Sequence, residues 1–306
     1  MAARILLAGA SGTVGFELLK LLKTHGYWVR TLSHSPVRAE QLKPLADEVE
    51  CADAAKPDAL ADVCRNIEVV ISCLGASVNM NSRDRRSFHA VDFVSNMNLL
   101  AEGQRSQISR FVYLSAFTTP DYEHTAYIQA HEAFVQRLRQ SGLGHSVVRP
   151  TGIYSVFADF VRMAKKGFLP LIGNGQARTN PVHPIDVAQV LAESVLTGPQ
   201  DIPIGGPEIL SRCDIAAAAF QAIGKKPRFV KMPPEIFSWS AKLLHWWNPR
   251  LSELIAFGKE VWLFMIAWRR RWANCDWRSI SGRLLLDSFM VHVQRGHHVQ
   301  PHQDLA

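Results

Sequence analysis

The chain has 306 residues, with 34 Lys and Arg, 27 Asp and Glu, and a formal net charge of +7. Its hydrophobic content of 47% and charged content of 20% are values of globular proteins and exclude a disordered chain. No apolar run approaches the ~20 residues that a membrane-spanning helix needs, and the N-terminus is too glycine-rich for a secretory signal.

Charge and tryptophan are concentrated towards the C-terminal end. Residues 1–224 carry 21 basic and 21 acidic residues, whereas residues 225–306 carry 13 basic and 6 acidic ones. Seven of the eight tryptophans lie between Trp239 and Trp277. The five cysteines form no CxxC pair and are odd in number, which favours reduced thiols and a cytoplasmic protein. The sequence therefore combines a neutral body with a basic, Trp-rich end.

Short apolar runs alternate with helical patterns over the first 150 residues. The runs predict strands at Arg4–Ala8, Tyr27–Leu32, Val49–Cys51, Glu68–Cys73, Phe111–Ser115 and Ser146–Arg149. The helical patterns predict helices at Phe16–His25, Glu40–Leu45, Asp58–Cys64, Phe88–Gln104 and Tyr127–Ser141. Strands separated by helices predict an α/β fold of the Rossmann type, in which a doubly wound parallel sheet carries helices on both faces.

The alternation is less regular after Pro150. Helices are predicted at Ala158–Lys166, Val187–Thr197, Asp214–Ile223, Glu235–Trp247 and Leu251–Trp268, whereas Pro199–Arg212 is rich in Pro and Gly. We therefore expect a domain over residues 1–155 and a smaller, mostly helical region over residues 156–306. The polar residues 290–306 are expected to form a disordered tail.

A glycine-rich loop between the first strand and the first helix is the strongest motif. It consists of Gly9, Ala10, Ser11, Gly12, Thr13, Val14 and Gly15. In such a loop the glycines permit a tight turn, a close approach of the backbone to a pyrophosphate, and close packing of helix on sheet. The free N–H groups at the helix N-terminus then bind the phosphates. The loop predicts a dinucleotide site, and a glycine turn without a ligand is the alternative.

The end of the second strand is expected to distinguish NAD from NADP. An acidic residue there would bind the ribose 2′-hydroxyl of NAD, whereas a basic one would pair with the 2′-phosphate of NADP. Residues 31–36 contain no acid, and His34 and Arg38 follow the strand. The sequence therefore favours NADP(H), with NAD(H) possible, and a solvated loop is the alternative for His34.

Several motifs together resemble the short-chain dehydrogenase/reductase superfamily, in its extended and atypical branch of NmrA-like proteins and complex I accessory subunits. They are GASGTVG at 9–15, Asp53, SCLGA at 72–76, FVYLSA at 111–116, Tyr127, RPTG at 149–152 and NPVHPIDVA at 180–188. The resemblance covers about residues 4–235. It implies that Asp53 approaches the adenine and that Leu74 and Gly75 lie on the ribose side. It also implies that the nicotinamide pocket is lined by Pro150, Thr151, Gly152 and Ile153.

The resemblance further implies a catalytic pair, Ser115 at the end of the fifth strand and Tyr127 in the next helix. A phenol donates its proton poorly at pH 7 unless a cation stabilises the phenolate, and in the family a Lys four residues later supplies that charge. Here position 131 is His, which shares the helical face of Tyr127. His131 is expected to bind a ribose hydroxyl or relay a proton, or else only to position the cofactor. For Tyr127 a place at the pocket edge, and for Ser115 a strand-end cap, are the alternatives.

Other polar clusters have simpler interpretations. His183 and Asp186 lack the further ligands of a metal site, so helix capping is favoured and no metal is expected. The run of residues 83–86 (RDRR) would suit an acidic substrate, but a solvated charged loop is favoured. The basic residues belong to no recognisable nucleic-acid-binding module, so no nucleic-acid partner is expected.

The segment of residues 262–272 (WLFMIAWRRRW) has two interpretations. Trp and Phe beside an Arg cluster can hold a helix at a membrane surface, which would make a cytoplasmic protein peripheral to a membrane. A helix packed over the substrate cleft, with its Arg side chains in solvent, is favoured. The stretch of residues 267–281 matches nothing expected of the family. The oligomeric state does not follow from the sequence.

Two functions remain open. The first is an NAD(P)H-dependent reductase that transfers hydride to a carbonyl or conjugated double bond of a small molecule, with Ser115 orienting the acceptor and Tyr127 donating the proton. The second is a cofactor-binding sensor, or an accessory or assembly protein of a membrane complex, with little chemistry of its own. His131 and the Trp/Arg segment favour the second. A reductase for a large membrane-associated ligand, such as a tetrapyrrole or quinone, would use both features.

Overall fold

A seven-stranded parallel sheet forms the centre of the structure, a computed structural model that describes residues 2–78, 86–154 and 158–264. The strands described are β1 (Arg4–Ala8), β2 (Trp28–Ser33), β3 (Glu48–Cys51), β4 (Val69–Ser72), β5 (Arg110–Leu114), β6 (Gly144–Pro150), β7 (Leu169–Ile172), β8 (Arg178–Thr179), β9 (Asp201–Ile204), β10 (Leu210–Ser211) and β11 (Phe229–Met232). The main sheet has the order β3-β2-β1-β4-β5-β6-β9. This order reverses between β1 and β4, which places the ligand crevice of a Rossmann fold at their carboxyl ends. The predicted fold class is confirmed.

Helices cover both faces of the sheet. The described helices are α1 (Thr13–Thr24), α2 (Pro36–Leu42), α3 (Ser95–Arg105), α4 (Ala126–Gln140), α5 (Ala158–Lys165), α6 (Pro184–Glu193), α7 (Arg212–Gln221), α8 (Pro234–His245) and α9 (Pro249–Phe264). A 3-10 helix spans Pro57–Leu60, and a π-helical segment, His89–Val94, leads directly into α3. The continuous helix predicted from Phe88 to Gln104 is therefore two helical types in succession.

Alternation of side chains along the strands divides the core into two layers. On β1, Ile5 and Leu7 pack with α1 and α6, whereas Leu6 and Ala8 pack with α3 and α4. All four are fully buried. Because both faces of a parallel strand are covered, the strand is apolar throughout instead of alternating with polar residues. This is why the buried strands were recognisable as unbroken apolar runs.

The region after residue 155 contributes to the main sheet and adds smaller units. Strand β9 pairs with β6 at the sheet edge, and α6 packs against α1. Strands β7 and β11 form a parallel pair, β8 and β10 an antiparallel one, and α5 and α7 share an apolar cluster. Helices α8 and α9 pack on each other, and α9 also contacts α4. The region is thus richer in strands than its helical patterns predicted.

Three local predictions need correction. The helix predicted at Asp58–Cys64 ends after one 3-10 turn, because Ala61 has an extended ψ of 127° and Asp62 then adopts a left-handed conformation with φ of 62°. The helix predicted at Glu40–Leu45 begins earlier, with Pro36 in its first turn, and ends at Leu42. Strand β9 lies in a stretch that the sequence marked only as rich in Pro and Gly. Its Pro203 is tolerated because β9 is an edge strand.

The remaining predictions on metal and membrane concern the residues that the structure describes. Within these ranges no helix is long and apolar enough to cross a bilayer, and no group of three His, Cys, Asp or Glu side chains is placed to hold a metal ion. His183 caps α6, where its Nδ1 accepts a hydrogen bond from the Ile185 amide at 3.2 Å. Residues 83–85, 267–281 and 290–306 lie outside the described residues.

Candidate cofactor and substrate site

Two glycines of the glycine-rich loop are required by the backbone geometry. Gly9 has a φ of 81°, and a Cβ placed on it would lie 2.5 Å from the carbonyl oxygen of Cys73. A Cβ on Gly15 would lie 2.3 Å from the carbonyl oxygen of Gly9. Both positions therefore require glycine. At position 9 glycine permits the left-handed turn and the close contact with the residue after β4, and at position 15 it permits the close packing of α1 against the loop. Both contacts lie within the chain itself, and the binding of a pyrophosphate by this loop remains a prediction.

The N-terminus of α1 is electrostatically suited to phosphate. Its N-cap residue, Gly12, provides no side-chain cap, and the first turn contains no acidic residue. The first N–H groups of a helix have no intrahelical partner and carry the positive end of the helix dipole. An anion at this position would satisfy these donors.

His34 and Arg38 follow the strand that contacts the glycine loop. The amide of Gly9 is 3.4 Å from the carbonyl oxygen of Leu32 near the end of β2, and this contact joins the loop to that strand. His34 follows the strand and Arg38 lies on α2, and both side chains are exposed. They are therefore accessible to a phosphate at the adenosine end of a dinucleotide. Their assignment to NADP remains a prediction.

Asp53 follows β3 and forms an ion pair that the sequence did not indicate. Its Oδ1 accepts a hydrogen bond from the Ala55 amide at 3.1 Å and lies 3.1 Å from Nη1 of Arg86. Both side chains of the pair are about one-third exposed. The part of the charged run 83–86 that the structure describes thus contacts the residue predicted to approach the adenine.

The loop after β4 rests on two buried polar residues that the sequence analysis missed. Asp92 accepts a hydrogen bond from the Ala76 amide at 3.0 Å, and a Cβ on Gly75 would lie 3.2 Å from the same Asp92 oxygen. Ser72 Oγ donates to Asn96 Oδ1 at 2.5 Å, and the Leu74 amide donates to Ser72 Oγ at 3.3 Å. The predicted ribose-side loop is therefore positioned by the π-helical segment and the start of α3.

Asp92 also faces His131 in the core. His131 Nε2 lies 3.5 Å from Asp92 Oδ1, and His131 Nδ1 lies 2.6 Å from the hydroxyl of Tyr113. The three side chains are at most 3% exposed. Burial raises the pKa of Asp92 to about 8. Burial, with a contribution from Arg149, lowers the pKa of His131 to about 3. Near pH 7 both residues are therefore neutral.

Two atoms of this cluster have no partner. Asp92 Oδ2 and His131 Nε2 are buried and make no hydrogen bond within the described part of the chain. A buried polar atom without a partner costs about 1–3 kcal/mol. Asp92 stands between apolar residues in the run AVDFV at 90–94, and this was the signal that could have revealed the cluster from the sequence.

Tyr127 lies among aromatic side chains. Its ring is 5.0 Å from that of Phe88, 4.6 Å from that of His131 and 4.6 Å from that of Phe257. The contact with His131 confirms that the two residues share a helical face. Burial raises the pKa of Tyr127 well above its ordinary value, and Asp92, once it is ionised at higher pH, acts in the same direction.

One cation opposes that rise. The guanidinium of Arg250, at the start of α9, acts to lower the pKa of Tyr127. It lies 3.5 Å above the ring of Phe88 and donates to the carbonyl oxygen of Ser77 at 2.8 Å. The positive charge near Tyr127 therefore comes from α9, whereas position 131 holds a neutral His.

The side-chain hydroxyl of Ser115 is buried at the carboxyl end of β5. Its amide donates to the carbonyl oxygen of Val148 at 2.8 Å, which fixes the residue at the carboxyl end of β5. Its Oγ is buried and makes no hydrogen bond among the residues described. The next residue, Ala116, packs in the same apolar cluster as Tyr127. Ser115 and Tyr127, the predicted pair, thus lie next to one apolar cluster at the carboxyl end of β5.

The segment of residues 150–153 is held from two sides. Thr151 Oγ1 donates to the carbonyl oxygen of Asn180 at 2.7 Å, and the Val182 amide donates to the carbonyl oxygen of Gly152 at 2.7 Å. Just before it, Arg149 forms ion pairs with Glu132 on α4 and with Asp201 on β9. The predicted nicotinamide-side segment is therefore fixed relative to the helix that carries Tyr127.

Comparison with known proteins agrees with this geometry. The model of a family described as NAD(P)H-binding matches residues 9–199. A divinyl chlorophyllide a 8-vinyl-reductase of Cucumis sativus is 26% identical over 280 residues, which cover 83% of this chain and 66% of the reductase. The photosystem II assembly factor Ycf39 of Trieres chinensis is 22% identical over 266 residues, covering 83% and 81% of the two chains. The chain thus spans just under two thirds of the length of the first of these relatives.

A solved structure shows the same fold. The NADPH-dependent quinone oxidoreductase of Escherichia coli, in complex with NADPH, superimposes with a TM-score of 0.66 and 16% identity, over 84% of this chain and 88% of that one. The predicted resemblance to reductases of the short-chain type is confirmed at the level of fold and cofactor-binding family.

Proposed function

Because the chain belongs to the NAD(P)H-binding family, we propose that it is an NADPH-dependent reductase of a carbonyl or a conjugated double bond. The observation that carries this proposal is the buried hydroxyl of Ser115, which has no hydrogen-bond partner among the described residues and follows β5 next to the apolar cluster that contains Tyr127. A buried hydroxyl without a partner is costly, and a polar substrate atom would satisfy it. The vinyl-reductase activity in the name of one relative supports a conjugated double bond as acceptor.

In this proposal each residue has a limited task. NADPH, when bound on the glycine loop, supplies the hydride. Ser115 orients the acceptor by a hydrogen bond. Tyr127 donates the proton, and because burial raises its pKa and so makes it a weaker acid, this donation requires a cation that stabilises the phenolate. Arg250 supplies the cation that stabilises the phenolate left behind, in place of a Lys at position 131.

A second function is favoured by His131. A neutral His that contacts Tyr113 and faces Asp92 supplies no positive charge to a phenolate or a ribose. A protein that binds the cofactor and transmits its presence to a partner would not need that charge. An assembly factor among the relatives supports this alternative. A panel of carbonyls, enones and vinyl-bearing tetrapyrroles, with NADPH oxidation as readout, separates the two functions. Cofactor binding without turnover of any substrate in the panel would favour the second.

Replacing Gly12 with Asp is expected to separate cofactor binding from folding. Aspartate is a favourable N-cap, and Gly12 has a φ of −77° that any residue adopts, although a Cβ there would lie 3.3 Å from the carbonyl oxygen of Gly9. We therefore expect the fold to be kept, with a thermal midpoint close to that of the wild-type chain. Its carboxylate would repel a pyrophosphate and compete for the same N–H groups, and NADPH should bind at least ~10-fold more weakly. The dissociation constant from fluorescence titration and the thermal midpoint check both parts. Unchanged NADPH affinity would mean that the cofactor does not bind at this helix.

Replacing Arg38 with Ala tests the choice of NADP. We expect NADPH to bind ~10-fold more weakly and NADH to bind as before, since only NADPH carries the 2′-phosphate. The same substitution at Arg137, an exposed residue of α4, is the matched control. Equal effects of Arg38→Ala on both cofactors would contradict the assignment, and a wild-type preference for NADH would overturn it.

A further inference from the structure

Helix α8 exposes an unusual apolar face. Five residues of this helix and its C-terminal end lie on one side: Ile236, Trp239, Leu243, Trp246 and Trp247. Their side chains are between 47% and 89% exposed, and both Trp246 and Trp247 are 89% exposed. The opposite side carries Ala241, which is buried and whose carbonyl oxygen accepts a hydrogen bond from Ser252 of α9 at 2.8 Å. The α8 face, defined by these five residues, thus points away from the rest of the described structure.

The spacing shows that the exposure is a property of the helix and not of scattered side chains. Residues 236, 239, 243 and 246 follow one another at intervals of three and four, the period of one helical face. The helix is about 18 Å long, so that the face forms a continuous stripe. Monomeric soluble proteins rarely expose large contiguous apolar patches, which commonly mark interaction sites.

The segment of the chain that contains α8 is strongly basic. The segment of residues 225–247 contains one exposed acid, Glu235. Its exposed basic residues are Lys225, Lys226, Arg228, Lys231 and Lys242. Two further apolar residues of this segment, Phe229 and Val230 on β11, are also exposed. Lys242 lies on α8 itself, so a second copy docked on the α8 face would bring two such cations close together, which disfavours self-association.

We propose that the α8 face is a docking surface for an anionic lipid bilayer. Tryptophan is enriched at membrane–water interfaces, and an amphipathic helix with Trp and Leu on one face and Lys around it lies in the plane of the interface. Each Lys near an anionic bilayer adds attraction of its own. The Trp262–Trp272 segment, where the sequence suggested membrane contact, is a different part of the chain.

The position of α8 gives this docking a relation to the cofactor site. Helix α8 packs on α9, and α9 places Phe257 against Tyr127 and Arg250 above Phe88. A bilayer bound to α8 would therefore lie on the outer side of the helix pair that covers the candidate catalytic residues.

The test is co-sedimentation of the full chain with vesicles of phosphatidylcholine alone or mixed with phosphatidylglycerol. We expect binding to the mixed vesicles and little to the neutral ones. Two variants should weaken binding by ~10-fold or more: the triple variant Trp239→Ser, Trp246→Ser and Trp247→Ser, and the double variant Lys226→Glu with Lys242→Glu. Matched controls are Val37→Ser with Leu196→Ser, which are exposed apolar residues elsewhere, and Arg137→Glu. NADPH affinity should be unchanged in every variant.

Four results would overturn the proposal. The first is no binding of the wild-type chain to anionic vesicles. The second is equal binding by the wild-type chain and the α8 variants. The third is loss of binding on replacement of Trp268 and Trp272 by Ser, with the α8 variants unaffected, which would assign the contact to the C-terminal segment. The fourth is a dimer, seen by sedimentation velocity without vesicles, that the α8 substitutions dissociate. None of these depends on turnover.

Discussion

Replacement of Tyr127 with Phe is expected to lower kcat of NADPH-dependent reduction by ~10²–10⁴-fold, the usual contribution of a positioned general acid. The ring would keep its contacts with Phe88, His131 and Phe257, so the fold and the affinity for NADPH should change little. Single-turnover rates with saturating NADPH, on a substrate identified from the carbonyl and enone panel, measure the effect.

Tyr122 provides the matched control. It packs in the same cluster as Tyr127 but donates its hydroxyl to the carbonyl oxygen of Phe117 at 3.0 Å. Tyr122→Phe should therefore cost about 1 kcal/mol of stability and leave turnover near that of the wild type. Full turnover by Tyr127→Phe would show that Tyr127 is not the acid.

Replacement of Asp92 with Asn is expected to abolish a fall in the free energy of unfolding between pH 6.5 and 8. The folded chain holds the proton of Asp92 up to a pH of about 8, whereas the unfolded chain releases it near its ordinary pKa of 3.8. In that interval the unfolded chain binds fewer protons, so stability decreases as pH rises.

His131 has the opposite effect over a lower range. The unfolded chain protonates it below its ordinary pKa of 6.5, but the folded chain does so only near pH 3, so stability increases with pH over this interval. The two effects offset each other below pH 6.5. The wild-type chain should therefore lose about 2 kcal/mol between pH 6.5 and 8. In Asp92→Asn only His131 remains, and stability should instead rise up to pH 6.5 and then level off.

Urea unfolding at pH 5, 6.5 and 8 measures these differences. Asn at position 92 retains an oxygen that can accept the hydrogen bond of the Ala76 amide, so the loop after β4 should keep its anchor. Asp58→Asn, at an exposed carboxylate, is the control and should follow the wild-type profile. Parallel profiles of Asp92→Asn and wild type would show that Asp92 ionises normally in the fold.

The parts of the fold that the sequence predicted are those fixed by local pattern. Arg4–Ala8 is the strand that its apolar run indicated, with the same bounds. Glycine is required at positions 9 and 15 because a Cβ there would clash with the backbone, so the loop could be recognised from its glycines. Strand β9 was missed because four residues containing a Pro have no distinctive period. It is recognisable only from its backbone pairing with β6 and from the ion pair between Arg149 on β6 and Asp201 on β9, which lie 52 residues apart.

For the site, the resemblance indicated which residues lie near the carboxyl ends of the strands. It did not indicate which of them are charged or which cation lies near Tyr127. That His131 is neutral follows from burial against Tyr113 and Asp92, and burial depends on the tertiary structure. Arg250 lies more than 100 residues from Tyr127 in the chain, so no spacing rule could connect the two. Such long-range electrostatics become visible only when α9 is placed.

The π-helical segment His89–Val94 makes the number of residues in this part of the chain important for the site, in addition to their identity. A π-helical turn contains one residue more than an α-helical one, and such turns arise within helices as single-residue insertions. Removal of Val94 would restore α-helical spacing and rotate Asp92 by about 100° around the axis relative to α3. The carboxylate would then leave the Ala76 amide, although no residue predicted to touch the cofactor had changed. Homologous chains that are one residue shorter in this segment would lack the buried contact between Asp92 and the ribose-side loop, even if every motif residue were the same.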